Sequence, residues 1–150
     1  MTDLQIIIRK AELDDMDGIF ELVRELAIYE KAENEVSIDP DYYRSSFAQG
    51  LFQSIVALHQ TKIVGTCIYY PTFSTWKGKM LYLEDFVVKE SYRQYGIGQQ
   101  LYDQLTSIAQ SEQYNLMKWQ VLDWNDPAIK FYQKNNAQIE KDWWNCKVIL

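Results

Sequence analysis

Residues 84–98 read Glu84-Asp85-Phe86-Val87-Val88-Lys89-Glu90-Ser91-Tyr92-Arg93-Gln94-Tyr95-Gly96-Ile97-Gly98, and the order of residue types here decides the fold. An apolar run carrying two acids enters a short polar loop. The loop closes on Arg-x-x-Gly-x-Gly, and an amphipathic run begins at once. A strand therefore feeds a helix whose first N–H groups have no intrahelical partner. Glycines stand where side chains would block an approaching anion, and a diphosphate suits such a turn.

Working outward, Ile97, Leu101, Leu105 and Ile108 keep the helical period and predict a helix after the turn. Residues 80–88 form the strand before it. Residues 116–122 form another, parallel to the first if the helix between them crosses over right-handed. Upstream, residues 6–9 read as a short strand. Asp14 or Asp15 caps a helix whose apolar face is Met16, Ile19, Phe20, Val23 and Leu26, ending near residues 28–31. Asp39-Pro40 starts a shorter helix carrying Tyr42, Tyr43 and Phe47 and ending at Gly50. Residues 53–59 and 63–70 predict an antiparallel hairpin, and residues 71–78 a loop bearing Phe73 and Trp76. Asn125-Asp126-Pro127 opens a short helix through Tyr132, and residues 138–150 close the chain with one or two strands. The pattern is one domain over residues 1–150, of mixed α+β class, with a β-α-β unit at its centre.

Composition narrows the function. Hydrophobic residues make up 47% of the 150 and aromatics 15%, enough for a packed core. The net charge of −6 disfavours nucleic acid, which needs a basic surface, and fits a cationic small substrate. The two cysteines, Cys67 and Cys146, lie in separate apolar runs, and His59 is the one histidine. No zinc spacing and no histidine-based triad follow from these, so no metal is expected. No basic-then-apolar leader and no bilayer-length apolar segment is visible, so a soluble cytoplasmic protein without a membrane partner is expected.

Three phosphate-binding patterns compete for the glycine turn. A Walker loop needs Lys-Ser/Thr after its last glycine, where Gln99-Gln100 stand. A dinucleotide fingerprint wants a third glycine where Leu101 stands. The diphosphate of coenzyme A is the third candidate. In order and spacing nearly the whole chain resembles the GNAT superfamily of N-acetyltransferases. It is most similar to the diamine branch, the spermidine/spermine and thialysine N-acetyltransferases. The residues that carry this are Leu26-Ala27-Ile28-Tyr29-Glu30, Ser74 to Lys79, Tyr82-Leu83-Glu84-Asp85-Phe86, Tyr92 to Gly98, Val121 to Asn125, and Phe131-Tyr132.

The resemblance implies a central, mostly antiparallel twisted sheet with one splayed parallel pair, flanked by about four helices, and a homodimer with aromatics near its interface. It implies acetyl transfer from acetyl-CoA to a primary amine. An alkylammonium of pKa near 10.4 is neutral in only about one molecule in a few thousand at pH 7, a deficit of roughly 4.6 kcal/mol, so a base is required. By resemblance Glu84 is that base, working directly or through water, and Asp85 is a structural or substrate-attracting acid. Strand neighbours point to opposite faces unless a bulge intervenes. Backbone groups of Phe86, Val87 and Val88 would pair with the pantetheine amides, one of them polarising the thioester carbonyl. Arg93, Gln94, Tyr95, Gly96, Ile97, Gly98 and Gln99 would hold the diphosphate, mainly through main-chain N–H groups. Tyr132, sharing a helix face with Ala128 and Ile129, is the implied acid for the departing thiolate. Asn125 caps that helix and binds pantetheine alongside Ala128. Tyr29, Glu30, Glu84, Lys118, Trp119, Gln120 and Asp142 are the implied amine-side residues. Two departures separate the chain from the polyamine enzymes: Ser74 stands where they carry an acid, and the tail after Asp142 is shorter. Both favour a short lysine-like amine over spermidine. A protein N-terminus, an aminoglycoside, and a silent acyl-CoA sensor are the rival assignments.

Overall fold

The computed structural model describes residues 3–150. Its secondary structure runs β1 (Ile6–Lys10), α1 (Met16–Tyr29), α2 (Pro40–Ala48), β2 (Gln53–His59), β3 (Lys62–Ser74), β4 (Gly78–Val88), α3 (Ile97–Ser111), β5 (Leu116–Lys118) and α4 (Asp126–Lys134). The chain divides into two units, one ending at Trp119 and the other running from Gln120 to Leu150.

The first unit holds one five-stranded sheet in the order β1-β2-β3-β4-β5. The first four strands are antiparallel neighbours, and β4–β5 is the parallel pair. This is the mixed α+β class with the expected β-α-β unit. Both faces of the sheet are covered, and strand alternation sorts the side chains between them. Ile55 and Ala57 of β2 join Cys67, Tyr69, Leu81 and Leu83 against Ile97, Leu101, Leu105 and Ile108 of α3. The intervening Val56 and Leu58 join Ile68 against Met16 and Ile19 of α1, flanked by Tyr43, Phe47 and Phe52. Leu101 and Leu105 are fully buried, and each such side chain stabilises the fold by about 1.5–3 kcal/mol. Gly65 lets β3 and α3 approach closely: a Cβ there would lie 2.9 Å from Leu101 Cδ1 and 3.3 Å from the Val87 carbonyl oxygen.

Several local expectations are corrected. Asp15 stands at the N-cap position of α1 but makes no cap hydrogen bond. Its carboxylate takes two bonds from Arg9, at 2.7 and 3.0 Å, and one from the Glu12 N–H at 2.7 Å. Burial alone would raise its pKa, yet these donors together hold it below the ordinary value. At Asp39 the expected cap does form, with the Tyr42 N–H donating at 2.8 Å.

The loop expected at 71–78 is mostly strand. β3 continues through Ser74, and only Thr75–Lys77 turn. Pro71 is tolerated because β2 stops pairing with β3 at Tyr69, so beyond it β3 is an edge strand with no ladder on one side. The strand expected at 116–122 ends at Lys118, after pairing Met80↔Leu116, Leu81↔Met117 and Tyr82↔Lys118. From Leu83 to Val88, β4 therefore pairs with β3 alone among the described residues.

The second unit contains α4. Asn125 Oδ1 accepts the Ala128 N–H at 3.4 Å, Pro127 lies in the first turn, and Tyr132 is buried. The strands expected at 138–150 do not form. Period-two alternation fails there: Trp143 and Trp144 are adjacent, and Val148, Ile149 and Leu150 are consecutive, with Glu140-Lys141-Asp142 before them.

Candidate active site

The register of β3 on β4 skips one residue. Ile68 faces Asp85 and Tyr69 faces Leu83, which leaves Glu84 as the extra residue of a β-bulge. The bulge breaks strict alternation at the two acids. Asp85 shares its cross-strand position with Ile68, on the α1 side of the sheet, while Glu84 is exposed.

Tyr70 donates its hydroxyl to Glu84 Oε2 at 2.6 Å. Its ring stacks on Tyr82, directly across the ladder, with centroids 5.5 Å apart and planes at 29°. Burial pushes Asp85 up to about 7, helped by the charges of Glu84 and Glu30. Burial also raises the Glu30 carboxyl. Tyr43 is pushed up to about 12 by burial and by Asp85 and Glu84. Asp85 thus feels the charges of both Glu84 and Glu30, and Tyr70 and Tyr82 stand at the Glu84 carboxylate side of the strand pair. At neutral pH Asp85 is poised between its acid and its anion. Such a concentration of acid with aromatic walls suits an ammonium group.

A cavity of about 680 Å³ lies between the end of α1 and the end of β4. Leu26, Ile28 and Tyr29 line one side, Val87 and Val88 the other, with Arg93 at the same opening. It brings the amine-side residue Tyr29 together with Val87, Val88 and Arg93, expected on the cofactor side. The Arg93 guanidinium lies 5.4 Å from the Tyr29 ring centroid, and its Nε donates to the Val88 carbonyl at 3.2 Å. Lys89 ties this strand end to Glu25 of α1 at 2.8 Å. A second cavity of about 330 Å³, beside Phe20, Arg24 and Pro40, contains none of the expected site residues.

The glycine turn is built from backbone. After a single 3₁₀ turn at Glu90–Tyr92, Gln94 takes φ 70° and Gly96 φ 77°. Gly96 is the N-cap of α3, and no side chain caps the helix. The first N–H groups of α3, at Ile97, Gly98 and Gln99, are donors of the kind an anion satisfies. The Gln99 side chain turns down the helix to Asp103 at 2.8 Å, so its contribution to the turn is its N–H. Gln94, Tyr95 and Gly96 are exposed, and nothing lies within 4 Å of a Cβ placed on Gly96. Only Gly96 of the two motif glycines has positive φ. This uncapped helix start has the donors that a diphosphate such as that of coenzyme A would need.

The remaining expected residues are distributed as follows. Phe86 packs toward the α3 side of the sheet, as does Trp119, whose ring meets Tyr102 edge-on at 6.1 Å. Trp119 is thus on the opposite face from Asp85. Lys118 is exposed at the end of β5. Gln120, Asn125, Ala128, Tyr132 and Asp142 belong to the second unit. There Gln120 pairs with Asn145, the Phe131 ring meets Tyr132 edge-on at 5.8 Å, and Asp142 is exposed.

No site role follows from the sequence for Tyr43, for Tyr70 or for the contact of His59 with Tyr92, which pins the start of the glycine turn to the β2–β3 hairpin, with Nδ1 and the hydroxyl 2.9 Å apart. All arise from cross-strand register or helix packing, for which eleven similar tyrosines offer no local signal.

Among the described residues, no group of three or more His, Cys, Asp or Glu side chains is arranged to hold a metal ion. No helix is long and apolar enough to cross a membrane.

Comparison with known proteins identifies the family. The acetyltransferase (GNAT) family matches residues 17–137. Thialysine N-epsilon-acetyltransferase of Bos taurus is 34% identical over 94% of this chain and 90% of its own. Human spermidine/spermine N(1)-acetyltransferase-like protein 1 is 36% identical over 87% of this chain, which spans 20% of that protein. In structure, an aminoglycoside acetyltransferase from an uncultured soil metagenomic sample superposes with a TM-score of 0.81 at 20% identity, covering 97% of this chain and 96% of its own, a likeness of fold. With its bulged strand, its glycine turn and these relatives, the chain belongs to the GNAT family of acetyltransferases, in the diamine branch.

Proposed function

We propose that this N-acetyltransferase moves acetyl from acetyl-CoA directly to the primary amine of a small lysine-like or diamine substrate, with a thialysine-type amine favoured over a polyamine. The observation that carries this is the exposed Glu84 carboxylate at the β4 bulge, next to Asp85 and bonded to the Tyr70 hydroxyl of the Tyr70–Tyr82 stack. The name of the bovine relative supports the choice of amine, and so does Ser74 in place of an acid before Trp76.

In this proposal acetyl-CoA, when bound, supplies the thioester that the amine attacks. The backbone of β4 at Phe86, Val87 and Val88 would orient pantetheine, with one of its N–H groups toward the carbonyl oxygen as charge develops. The N–H groups from Gln94 to Gln99, with Arg93, hold the diphosphate. Glu30 and Tyr29 attract and align the ammonium. Glu84 takes the ammonium proton, directly or through water. Tyr132 returns a proton to the departing sulfur, and Asn125 and Ala128 fix that helix start. Lys118, Gln120 and Asp142 are the remaining residues assigned to the amine in this proposal. The two units act as one domain, since the family match runs across both. A cytoplasmic homodimer belongs to the same proposal.

The test is an acetyl-CoA turnover assay across thialysine, lysine, short diamines, spermidine and an aminoglycoside. Thialysine or lysine should give the highest kcat/KM. Turnover confined to the aminoglycoside, or none on any amine, overturns the proposed substrate class.

A further inference from the structure

Glu84 is a bulge residue, so no cross-strand neighbour holds its side chain as one would in a regular ladder. A glutamate that is exposed and unrestrained samples several rotamers, and a base must be placed before it can act. Tyr70 supplies the restraint. Its hydroxyl donates to Oε2 at 2.6 Å, a length typical of a charge-assisted bond. Tyr70 is itself fixed, because its ring is half-buried on β3 and stacked on Tyr82 of β4 at the facing ladder position. Burial first, and then the Glu84 contact, raise the Tyr70 phenol above its ordinary value, so it remains a donor across the working pH range.

We propose that Tyr70 is a positioning residue for acetyl transfer: it fixes the Glu84 carboxylate through Oε2 and leaves Oε1 to receive the substrate proton, with Tyr82 holding the Tyr70 ring. This rests on Glu84 being the base. The proton leaves the ammonium nitrogen, directly or through one water, and ends on Glu84 Oε1. Tyr70 keeps its own proton throughout. Tyr70 acts through Glu84 alone, so its loss appears in kcat and leaves the KM for acetyl-CoA unchanged.

The experiment is a double-mutant cycle in steady-state kinetics, with wild type, Tyr70→Phe, Glu84→Gln and the double variant. Tyr70→Phe keeps the stacked ring and should lower kcat about 5- to 30-fold, with the KM for acetyl-CoA within about twofold. In the Glu84→Gln background the same change should cost nothing further. Tyr82→Leu, which frees the ring but leaves the hydroxyl, should show a smaller kcat loss that also vanishes in that background. Wild-type kcat in Tyr70→Phe overturns the proposal. So does an equal loss in both backgrounds, which would mean Tyr70 works through strand structure instead of Glu84. Wild-type kcat in Glu84→Gln is the separate signature that the base assignment itself has failed, and it takes this proposal with it.

Discussion

At residues 93–98 the proposed binding surface is backbone; earlier on the same stretch, at Glu84 and Asp85, it is side chain. The turn depends on two left-handed residues, Gln94 and Gly96, and on a helix start with no side-chain cap. The acid cluster depends on a register skip against β3, on Tyr70 and Tyr43, and on Glu30 arriving from the end of α1. A backbone site is a property of a few consecutive residues. A side-chain site is a property of the fold. The two should therefore fail differently under mutation.

The largest effect is expected at the side-chain end. Glu84→Gln should lower kcat by about 10²–10³-fold and flatten the acidic limb of the pH–rate profile, with acetyl-CoA affinity by calorimetry unchanged. An unaltered limb would remove the base from this end of the comparison.

Asp85 should reveal itself in stability. Its folded pKa of about 7 lies above the ordinary 3.8, so between those values the native state binds a proton that the unfolded chain has released. Its contribution is fully present at low pH and is lost as pH rises from about 4 to 7. Asp85→Asn should flatten that decline and gain on the order of 2–4 kcal/mol over wild type at pH 8, read by urea unfolding across pH. Parallel profiles would show that Asp85 is not held protonated by its surroundings.

At the backbone end, Gly96→Ala places a Cβ on a left-handed residue, at a cost of about 1–2 kcal/mol. The KM for acetyl-CoA should rise about 5- to 20-fold with kcat nearly constant, the reverse of the Glu84→Gln pattern. A kcat loss instead would erase the distinction between the two ends. The smallest effect is expected for Arg93→Met, a loss of acetyl-CoA affinity of at most about threefold, because the guanidinium contributes charge while the N–H groups do the holding. A hundredfold loss would make the turn a side-chain site after all.

The same distinction explains what was legible beforehand. The face of α3 and the Asp39 and Asn125 caps follow from spacing within one helix and form as expected, while on α1 Met16, Ile19 and Phe20 are buried as expected but Leu22 is buried more deeply than Val23 or Leu26. Asp15 fails as a cap because Arg9, on a separate strand, takes its carboxylate. β3 runs on through Pro71 because its neighbour ends early, a fact about β2 and not about proline. β5 stops at Lys118 although apolar residues continue and β4 itself runs on to Val88, so the two strands part just before the bulge at Glu84. Residues 138–150 carry enough apolar side chains for strands but not the alternation.

The amino-acid sequence by itself determined the α+β class, the central strand–turn–helix unit, the glycine turn and the two acids before it. Each rests on interactions between residues close in the chain, where propensity, periodicity and glycine conformation act directly. Only the tertiary structure decided that Glu84 is the bulged residue, that Asp85 shares its surroundings with Glu30 and Tyr43, and that Tyr70 reaches Glu84. Register is set by the whole sheet and its two packed faces. A skip of one residue changes which side chain each strand presents, and no short segment encodes that choice.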